Sequence, residues 1–421
     1  MHVLVIPSEE FQPRESHLAG IFQRHQCTAM HQAGWKVGVL SVRLRFSVVM
    51  ILKGVLIRLC GGIPGRGLEG YRVGELLRLL KDKILHPEKF VSSEVIDGYP
   101  VVRINGLYMH RPSPVNEYVS WVRAGKIVFA EFCRRHGAPD LIHAHNCNPA
   151  GLLAFEINKA TGIPYMITEH SSYYHRRLIP QRLMPRVAIS FAAAKVIATV
   201  SPALGEDLAC DIGKQAAGAR WIPNVIDPEF ESGDLPEPST STGCVFLAVG
   251  ELIPLKGHRE LIDAFTQAFA SQLQVRLRIA GDGILVSELQ AKISSLGLGN
   301  QISLLGRLTR QEVQQEMKSC HCLVLPSHYE TFGVVLIEAL SLGRPVIASH
   351  CGGPECIVND SNGLLVPPQD VRALAKALTA MRHSFQNYDC VALQRDVRDR
   401  FGRQRLLNEL NTAYQECISK D

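Results

Sequence analysis

Two acidic residues with a fixed spacing are the most informative chemical feature of this sequence. Glu330 and Glu338 lie eight positions apart in LVLPSHYETFGVVLIEALSLGRPVIAS, where a strand ending at Pro326 precedes a loop and a helix that begins near Phe332. At helical rise, this spacing spans roughly 12 Å, comparable to the length of a sugar joined through two phosphates to a ribose. Ionised carboxylates accept hydrogen bonds from hydroxyl groups, so one acid could hold the polyol at each end of such a molecule.

The start of the same helix suits the phosphates of such a molecule. The N–H groups around Gly333, Val334 and Val335 have no acceptor within a helix that begins here, and the helix dipole favours anions at its start. Gly333 carries no side chain, so an anion can approach the backbone closely. Glu338 has apolar neighbours in sequence, so it would need a buried partner, which argues against an ordinary surface acid.

Short apolar runs alternate with helical patterns along most of the chain, as in HVLVI, KVGVLSV, LIHAH, YMITEH and KVIATVS. This alternation is typical of parallel sheets covered by helices. The 421 residues exceed what one core usually organises, so the sequence predicts two doubly wound, Rossmann-like α/β domains. A segment near Glu229, PEFESGDLPEPSTSTG, has no periodic apolar face and is typical of a linker.

These patterns predict a division of the chain. Residues 1–228 form the first domain, 229–243 the linker, 244–400 the second domain, and 401–421 an amphipathic helix that could pack back on the first domain. Within the first domain, residues 41–89 interleave Lys and Arg with apolar side chains. This segment is either a basic amphipathic surface suited to a membrane, or an insertion whose apolar face packs on the domain and whose basic face is solvated.

Three histidines lie at the ends of predicted strands in the first domain. His143 and His145 in LIHAHNCNPAG share one face of a strand by alternation, and His170 follows the strand in MITEH. Strand ends are cleft positions in parallel sheets, but we interpret His143 as a core histidine bonded to backbone groups. Gly20 in SHLAGIFQRHQ opens a helix after the first strand, and taken alone it is as consistent with a simple helix start as with a ligand contact.

The segment that contains Glu330 and Glu338 resembles the E-x7-E signature of retaining GT-B glycosyltransferases of family four, also called group 1. The resemblance extends through most of the second domain, in VGELIPLKGH, GDGILVSEL, ISLLGRL and GGPECIVNDSNGLLVPPQD, and is looser in the first domain. It implies the GT-B fold, in which two Rossmann-like domains face each other across a cleft. It also implies transfer of a sugar from a nucleotide donor.

The resemblance implies roles for individual residues of the second domain. Glu330 would hold hydroxyls of the donor sugar at the catalytic centre, and Glu338 would hold the ribose hydroxyls. The Phe332–Val334 backbone would bind the sugar and the phosphates. Lys256 would neutralise the diphosphate and the charge that develops on the leaving nucleotide.

In the first domain the resemblance implies a glycine loop and two catalytic residues on the acceptor side. Gly20 would bring its backbone to the donor phosphates, and His145 and His170 would lie near the reacting sugar carbon. Retaining transfer in this family is pictured as a front-face substitution in which the leaving phosphate takes the acceptor proton, so no enzymic nucleophile is needed. A glycosidase would require two carboxyl groups about 5 to 5.5 Å apart, which Glu330 and Glu338 cannot satisfy across a helix.

One residue departs from the family pattern. Members often carry arginine after the glycine of VGELIPLKG, whereas this chain has Glu251. An acid beside a diphosphate is unfavourable, so Glu251 either points away or pairs with Lys256, or Arg307 in LLGRL supplies the missing charge at the donor site. The sequence has no carboxylate cage near these residues and no paired CxxC spacing among its 12 cysteines, so neither a metal ion nor another cofactor is predicted.

The expected function is therefore a retaining, metal-independent hexosyltransferase. It would move a hexosyl unit from a UDP- or GDP-sugar to a glycan or lipid-linked acceptor in surface polysaccharide biosynthesis, for example of lipopolysaccharide. The alternatives are a sugar-nucleotide epimerase of the same architecture and a non-catalytic nucleotide-binding module. The module would require a G-x-G-x-x-G turn, and the string GDGILV lacks its third glycine.

The start of the chain and its charge bear on location and partners. MHVLVIPSEE lacks the features of a secretory signal, and the longest apolar stretch is interrupted by Lys53 and Arg58 before it reaches the ~20 residues of a membrane span. A cytoplasmic location is expected, with peripheral contact at the inner face of the membrane if residues 41–89 provide it. The net charge of +5 suits phosphates or an anionic surface, and no nucleic-acid partner is predicted.

Overall fold

The computed structural model describes residues 1–11, 20–65, 68–108, 114–213, 216–231, 235 and 243–419, and only the backbone of 114–117. These residues form two compact units. Unit 1 contains Met1–Thr199, Gly205–Ile222 and Leu407–Asp421, and unit 2 contains Val200–Leu204 and Pro223–Leu406. Each unit has a largely parallel sheet connected by helices, so the predicted fold class is confirmed for both.

An eight-stranded sheet forms the centre of unit 1. Its strands are β1 (His2–Pro7), β2 (Lys36–Ser47), β3 (Val91–Ile96), β4 (Tyr99–Tyr108), β5 (Leu141–His145), β6 (Tyr165–Glu169), β7 (Val196–Thr199) and β8 (Arg220–Trp221). They are ordered β3-β4-β2-β1-β5-β6-β7-β8, and only β3 and β4 are antiparallel neighbours. The chain order reverses between β1 and β5, where Pro7 lies opposite His145. Ligands of such sheets bind beyond the carboxyl ends of the strands at this switch point.

Helices connect the strands of unit 1. They are α1 (Ile21–Gln32), α2 (Val48–Leu59), α3 (Val73–Leu85), α4 (Pro114–His136), α5 (Leu152–Thr161), α6 (Met184–Ala193) and α7 (Pro202–Ile212), whose first three residues belong to unit 2. β1 is buried along its whole length, as a central parallel strand covered on both faces must be, and its sequence after His2 is correspondingly an apolar run. The main core lies between this sheet and its helices, with Phe132, Tyr165 and Phe191 among its fully buried side chains.

A six-stranded parallel sheet forms the centre of unit 2. Its strands are β9 (Cys244–Val249), β10 (Val275–Ala280), β11 (Ile302–Gly306), β12 (Cys322–Leu325), β13 (Val346–Ser349) and β14 (Gly363–Val366). The order β11-β10-β9-β12-β13-β14 is the 3-2-1-4-5-6 order of a dinucleotide-binding sheet. Its switch point lies between β9 and β12, so the loops that follow these two strands are the expected place for a ligand.

Helices also cover the strands of unit 2. They are α8 (Pro228–Glu231), α9 (His258–Phe269), α10 (Val286–Ser295), α11 (Arg310–Ser319), α12 (Val334–Ser341), α13 (Val371–Ser384), α14 (Cys390–Phe401) and the first residues of α15 (Arg403–Ile418). The start of α11 is fixed by a capping box, in which the Thr309 hydroxyl accepts from the Glu312 N–H and the Glu312 carboxylate accepts from the Thr309 N–H. This cap places Arg310 at the first helical position.

The first predicted boundary, at residue 228, lies too late in the chain. Residues 223–228 belong to unit 2, because the Ile226 N–H donates to the Phe401 carbonyl at 3.0 Å and Asp227 forms an ion pair with Arg310. Residues 232–234 and 236–242, most of the predicted linker, lie outside the described part of the chain.

The C-terminal helix contributes to both units. Residues 401–406 belong to unit 2, and the chain joins unit 1 from Leu407 onward. There the Tyr414 hydroxyl lies 2.7 Å from Nδ1 of His143 in the core of unit 1. The helix that was predicted as a separate C-terminal element is thus divided between the two units at Leu407.

The basic apolar segment predicted at 41–89 begins later than expected. Residues 41–47 continue β2, where Ser41 lies opposite Arg103 of β4. Helices α2 and α3 follow, and they pack together around Ile51, Val55 and Leu76. Arg66 of this segment lies outside the described residues. Of the helices that the structure describes, none has the length and apolar composition to span a bilayer.

Candidate active site

The loops that follow β9, β10 and β12 are joined by backbone hydrogen bonds at the carboxyl edge of the unit 2 sheet. The Leu252 N–H donates to the Asp282 carbonyl and the His328 N–H to the Leu255 carbonyl, both at 2.8 Å. A Cβ on Gly257, whose φ is +67°, would lie 2.0 Å from the Pro326 carbonyl oxygen. Glycine is therefore required for the loop that carries Lys256 to lie against the loop that leads to Glu330.

Glu330 and Lys256 are in direct contact. Nζ of Lys256 donates to Oε1 of Glu330 at 2.6 Å, and the Ser327 hydroxyl donates to the same oxygen at 2.8 Å. The backbone of Glu330 is held on both sides, because its N–H donates to the Cys351 carbonyl and its own carbonyl accepts from the Gly353 N–H. The structure thus brings together two predicted donor-site residues that are far apart in sequence, and holds the carboxylate in one position.

The helix that follows Glu330 starts two residues later than predicted. It begins at Val334, and Gly333 precedes it with φ of +101°, a left-handed conformation that favours glycine. Phe332 precedes the helix, is buried, and packs edge-on against Phe401 with ring centroids 5.6 Å apart. The Leu336 N–H already donates to the Gly333 carbonyl at 2.9 Å, which leaves the N–H groups of Val334 and Val335 at the start of the helix. An anion site at this helix start stays a prediction.

Glu338 is buried in α12 and is held by a cation that the sequence reasoning did not identify. Nη2 of Arg310 donates to Oε1 of Glu338 and to Oδ2 of Asp227, each at 2.6 Å. The guanidinium lies over the ring of Phe230, with 4.7 Å to the centroid. Oε2 of Glu338 is also buried and has no hydrogen-bond partner among the described residues, so it can accept a hydrogen bond from another group.

The electrostatics of this triad depend on Arg310. Burial raises the pKa of Glu338, Arg310 opposes that rise, and Asp227 adds to it. Burial acts to lower the pKa of Arg310, but Glu338 and Asp227 outweigh it and the pKa of the guanidinium is raised. Apolar neighbours of Glu338 did signal that it needs a partner, but nothing in GRLTRQE distinguishes Arg310 from Arg307 as that partner.

Two predicted phosphate-site residues lie outside these contacts. The Glu251 side chain is exposed, and its carbonyl is 3.2 Å from Nε2 of His258. Lys256 pairs with Glu330, not with Glu251. Arg307 is exposed after β11, an edge strand, and forms no ion pair within the described part of the chain. A donor-binding role for Arg307 stays a prediction.

In unit 1, His143 and His145 share one face of β5, as strand alternation predicted, with ring centroids 4.3 Å apart. His143 is fully buried, but its partners are side chains and not backbone groups: Nε2 lies 2.7 Å from the Thr168 hydroxyl, and Nδ1 lies 3.1 Å from the Gln26 amide nitrogen. Burial lowers the pKa of His143 to about 3, so the ring is neutral near neutral pH.

His145 and His170 form a pair at the ends of β5 and β6. Nδ1 of His145 lies 2.9 Å from Nε2 of His170, so one ring donates a hydrogen bond to the other. Burial, with contributions from His143 and His170, lowers the pKa of His145 well below its usual value. The structure therefore brings the two predicted acceptor-side residues together as a hydrogen-bonded pair in which His145 is neutral.

A buried carboxylate that the sequence analysis missed positions this pair. Glu169 accepts hydrogen bonds from the N–H groups of Cys147, His170 and Ser171 and from the hydroxyl of Tyr174, and burial raises its pKa. It thereby joins the loop after β5 to the loop after β6. In the sequence, Glu169 is recognisable only as a glutamate directly before a histidine at a strand end. Its burial depends on the loops that surround it, which the sequence does not show.

A pocket of about 450 Å³ opens beside these loops in unit 1. Aromatic side chains of Tyr118, Trp121 and Tyr173 line it together with the amides of Asn146 and Asn148. Such a mixture of flat apolar surfaces and hydrogen-bonding groups suits a small polar ligand with an apolar face.

Gly20 lies at the start of α1 with φ of +71°, and its carbonyl accepts from the Arg24 N–H at 3.0 Å. The left-handed conformation accounts for a glycine at this position without reference to a ligand. The preceding residues, 12–19, are outside the described part of the chain, so contact of Gly20 with donor phosphates stays a prediction.

Comparison with known proteins gives two family matches. Residues 236–386 match the family described as glycosyl transferases group 1, and residues 86–230 match glycosyltransferase family 4. The chain is 28% identical to a protein named as a teichuronic acid biosynthesis glycosyltransferase, TuaC of Bacillus subtilis, over 73% of this chain and 77% of TuaC. It is 36% identical to an exopolysaccharide phosphotransferase of Streptomyces coelicolor over 40% of this chain, but only 18% of that longer protein is covered.

Solved structures support the fold. HepE of Anabaena in complex with UDP superimposes with a TM-score of 0.68 at 19% identity, over 99% of this chain and 100% of HepE. Sucrose-phosphate synthase of Thermosynechococcus elongatus gives a TM-score of 0.71 at 19% identity, over 99% of both chains. At this level of identity the similarity shows the GT-B architecture.

Removing the cation of the triad should destabilise unit 2. Arg310→Met removes the cation that Asp227 and Glu338 share, and we expect a loss of about 3–5 kcal/mol in the free energy of unfolding by denaturant. Arg259→Met is the matched control, because its pair with Glu288 is exposed to solvent and should contribute little to the free energy of unfolding. Equal losses in the two variants would contradict the assigned role of Arg310.

The buried histidines predict how the stability of unit 1 depends on pH. In the unfolded chain a histidine has a pKa of about 6.5, whereas burial lowers that of His143 to about 3 in the folded state. The unfolded state therefore binds more protons below pH ~6.5, so the stabilisation is complete above that pH and is lost progressively as pH falls toward 3.

His143→Gln should reduce this loss by up to ~1.4 kcal/mol per pH unit in denaturant titrations between neutral and acid pH. His86→Gln is the control, because His86 is exposed after α3. Identical pH slopes for wild type and His143→Gln would show that His143 is not held neutral in the folded protein.

Proposed function

The chain belongs to the group 1 glycosyltransferases of family 4, with the GT-B fold, and we propose that it is a retaining, metal-independent hexosyltransferase. Its donor is a UDP- or GDP-sugar, and its acceptor is a glycan or a lipid-linked sugar in surface polysaccharide biosynthesis, such as that of lipopolysaccharide. The observation that carries the proposal is the arrangement of Lys256, Glu330, the start of α12 and Glu338 at the carboxyl edge of the unit 2 sheet.

Two carboxylates can accept hydrogen bonds from the two ends of the donor, Glu338 at the ribose and Glu330 at the transferred sugar. Oε2 of Glu338 is buried with no partner among the described residues, and it suits the hydroxyls of the ribose. Glu330 is fixed by Ser327 and Lys256 and suits hydroxyls of the transferred sugar. The start of α12 lies between the two acids in sequence and suits the diphosphate.

Lys256 has the charge needed at the bond that breaks. As the glycosidic bond to the diphosphate lengthens, negative charge grows on the leaving phosphate, and a nearby ammonium group lowers the energy of that state. In the proposed front-face substitution the same phosphate oxygen accepts the proton of the attacking hydroxyl. No side chain then needs to form a covalent bond with the sugar.

The acceptor is assigned to unit 1. The pocket lined by Trp121, Tyr118, Tyr173 and Asn148 suits a sugar, whose C–H face stacks on aromatic rings while its hydroxyls meet amides. The His145 and His170 pair would act as positioning and proton-holding groups on this side, since a neutral histidine pair can accept one hydrogen bond and donate another. The teichuronic acid assignment of TuaC and the UDP in the HepE structure agree with this choice of substrates.

The proposal is tested by incubating the full chain with UDP-, GDP- and ADP-sugars. Nucleotide release and the shift of the thermal unfolding midpoint are measured, with and without a chelator. A UDP- or GDP-sugar should raise the midpoint and release nucleotide equally with the chelator present, and product NMR should show the anomeric configuration of the donor. Absence of stabilisation by every sugar nucleotide would refute the proposed donor class.

Isosteric substitutions should separate the roles of the two acids. Glu330→Gln removes the charge at the sugar end and should lower transfer by roughly 100-fold or more with little change in nucleotide affinity. Glu338→Gln should mainly weaken nucleotide binding, because a ribose contact is made equally in the ground state and the transition state. The measurement is kcat and KM for both variants, and circular dichroism establishes that each is folded.

Glu355→Gln serves as a control, because Glu355 accepts from the Gly352 N–H in the adjacent loop and is not assigned to the donor. Wild-type kcat and KM in both Glu330→Gln and Glu338→Gln would contradict the site assignment.

A further inference from the structure

Helix α2 has more apolar surface than its packing uses. Ile51 and Val55 are buried against α3 and the residues before it. The neighbouring side of the helix carries Leu52, Leu56 and Leu59, which are 44%, 62% and 67% exposed. Their spacing of four and three residues places them in one row, here called the leucine stripe. Single exposed leucines are ordinary, but a row of three on one helix is an organised apolar surface.

The chain after α2 extends this surface. Ile63 follows the helix by four residues and is 73% exposed. On α3, Leu77 and Leu85 are 48% and 60% exposed, and Lys81 lies between them at the same helical spacing. Both helices therefore present leucines that the core of unit 1 does not cover.

Positive charge accompanies these leucines. Residues 48–90 contain eight Lys and Arg against four Asp and Glu, a net charge of +4 out of +5 for the whole chain. Lys53, Arg78 and Lys81 are exposed and pair with no carboxylate among the described residues. About a tenth of the sequence thus holds most of the excess charge of the protein, and its exposed cations are available to an external anion.

We propose that the α2–α3 helix pair docks on an anionic lipid surface, with the leucine stripe inserted among the acyl chains and the cations at the phosphate groups. Residues of α2 extend about 18 Å, well short of the ~30 Å of a hydrocarbon core, so the helix lies in the interface and does not cross it. Aliphatic side chains bordered by lysines are typical of interfacial helices.

Charge and composition favour lipid over a protein partner. Protein interfaces are enriched in aromatic residues and depleted in lysine, whereas this surface combines leucines with Lys53 and Lys81. A second copy of the chain would bring the same net positive charge against itself. An anionic bilayer neutralises it, and attraction to such a surface acts within about a Debye length.

The test is co-sedimentation of the full chain with vesicles. Vesicles of phosphatidylcholine alone are compared with vesicles of equal parts phosphatidylcholine and phosphatidylglycerol, at low and high salt. The protein should sediment with the anionic vesicles, and salt should weaken this binding. The variant Leu56→Ser with Leu59→Ser should bind roughly tenfold or more weakly, because it removes apolar surface that would enter the membrane.

Matched controls separate the docking surface from general surface effects. Leu273→Ser with Ile284→Ser removes two exposed apolar residues of unit 2 and should bind as wild type does. Lys53→Glu with Lys81→Glu should abolish binding, whereas Arg372→Glu with Lys376→Glu, on exposed positions of α13, should weaken it much less.

Three results would overturn the proposal: no sedimentation of wild type with anionic vesicles, equal binding to vesicles without phosphatidylglycerol, or equal binding by the leucine-stripe variant. Loss of a wild-type dimer in the leucine-stripe variant, seen by light scattering without vesicles, would also overturn it by assigning the surface to a second copy. Because the assay uses no donor or acceptor, its outcome is independent of the proposed transfer reaction.

Discussion

A single guanidinium compensates two buried carboxylates in unit 2, and the local structure is built around that constraint. Arg310 stands at the first position of α11, Asp227 directly precedes α8, and Glu338 lies inside α12. Each of these residues would be unfavourable in its buried position without the others. The ion pairs therefore join three segments that are distant in sequence, and they explain why residues 223–228 belong to the second unit.

Unit 1 stabilises a buried carboxylate by a different route. Glu169 forms no ion pair among the residues that the structure describes, and it is held by backbone N–H groups and hydroxyls from the loops after β5 and β6. These hydrogen bonds hold the carboxylate in position and lower its pKa, but burial outweighs them and the pKa of Glu169 remains raised. The consequence is positional: the loops that carry His145 and His170 are tied to one point, so the distance between the two rings is set by the fold.

The sequence predicted the elements well where pattern and chemistry are local. Apolar runs located the parallel strands, and the segment around Glu330 and Glu338 lies next to the switch point of the second sheet, where we propose the donor site. Arg310 and Asp227 were missed because an ion pair between residues 83 positions apart leaves no periodic signal. The start of α12 was predicted at Phe332, because the sequence does not show that Phe332 packs against Phe401 before the helix begins.

The charges at the proposed donor site constrain how a diphosphate could bind. Lys256 is paired with Glu330, and Arg310 is paired with both Glu338 and Asp227, so each of the two cations already has a carboxylate partner. A bound diphosphate would bring further negative charge to these residues. Arg310 is already shared between two acids, and Lys256 can contact a phosphate only by sharing or leaving Glu330. If sugar hydroxyls take the place of Lys256 at Glu330, the ammonium becomes available to the phosphates, and recognition of the sugar and of the diphosphate become coupled. The start of α12 carries a partial positive charge of about half an elementary charge. This charge then becomes essential for binding the diphosphate.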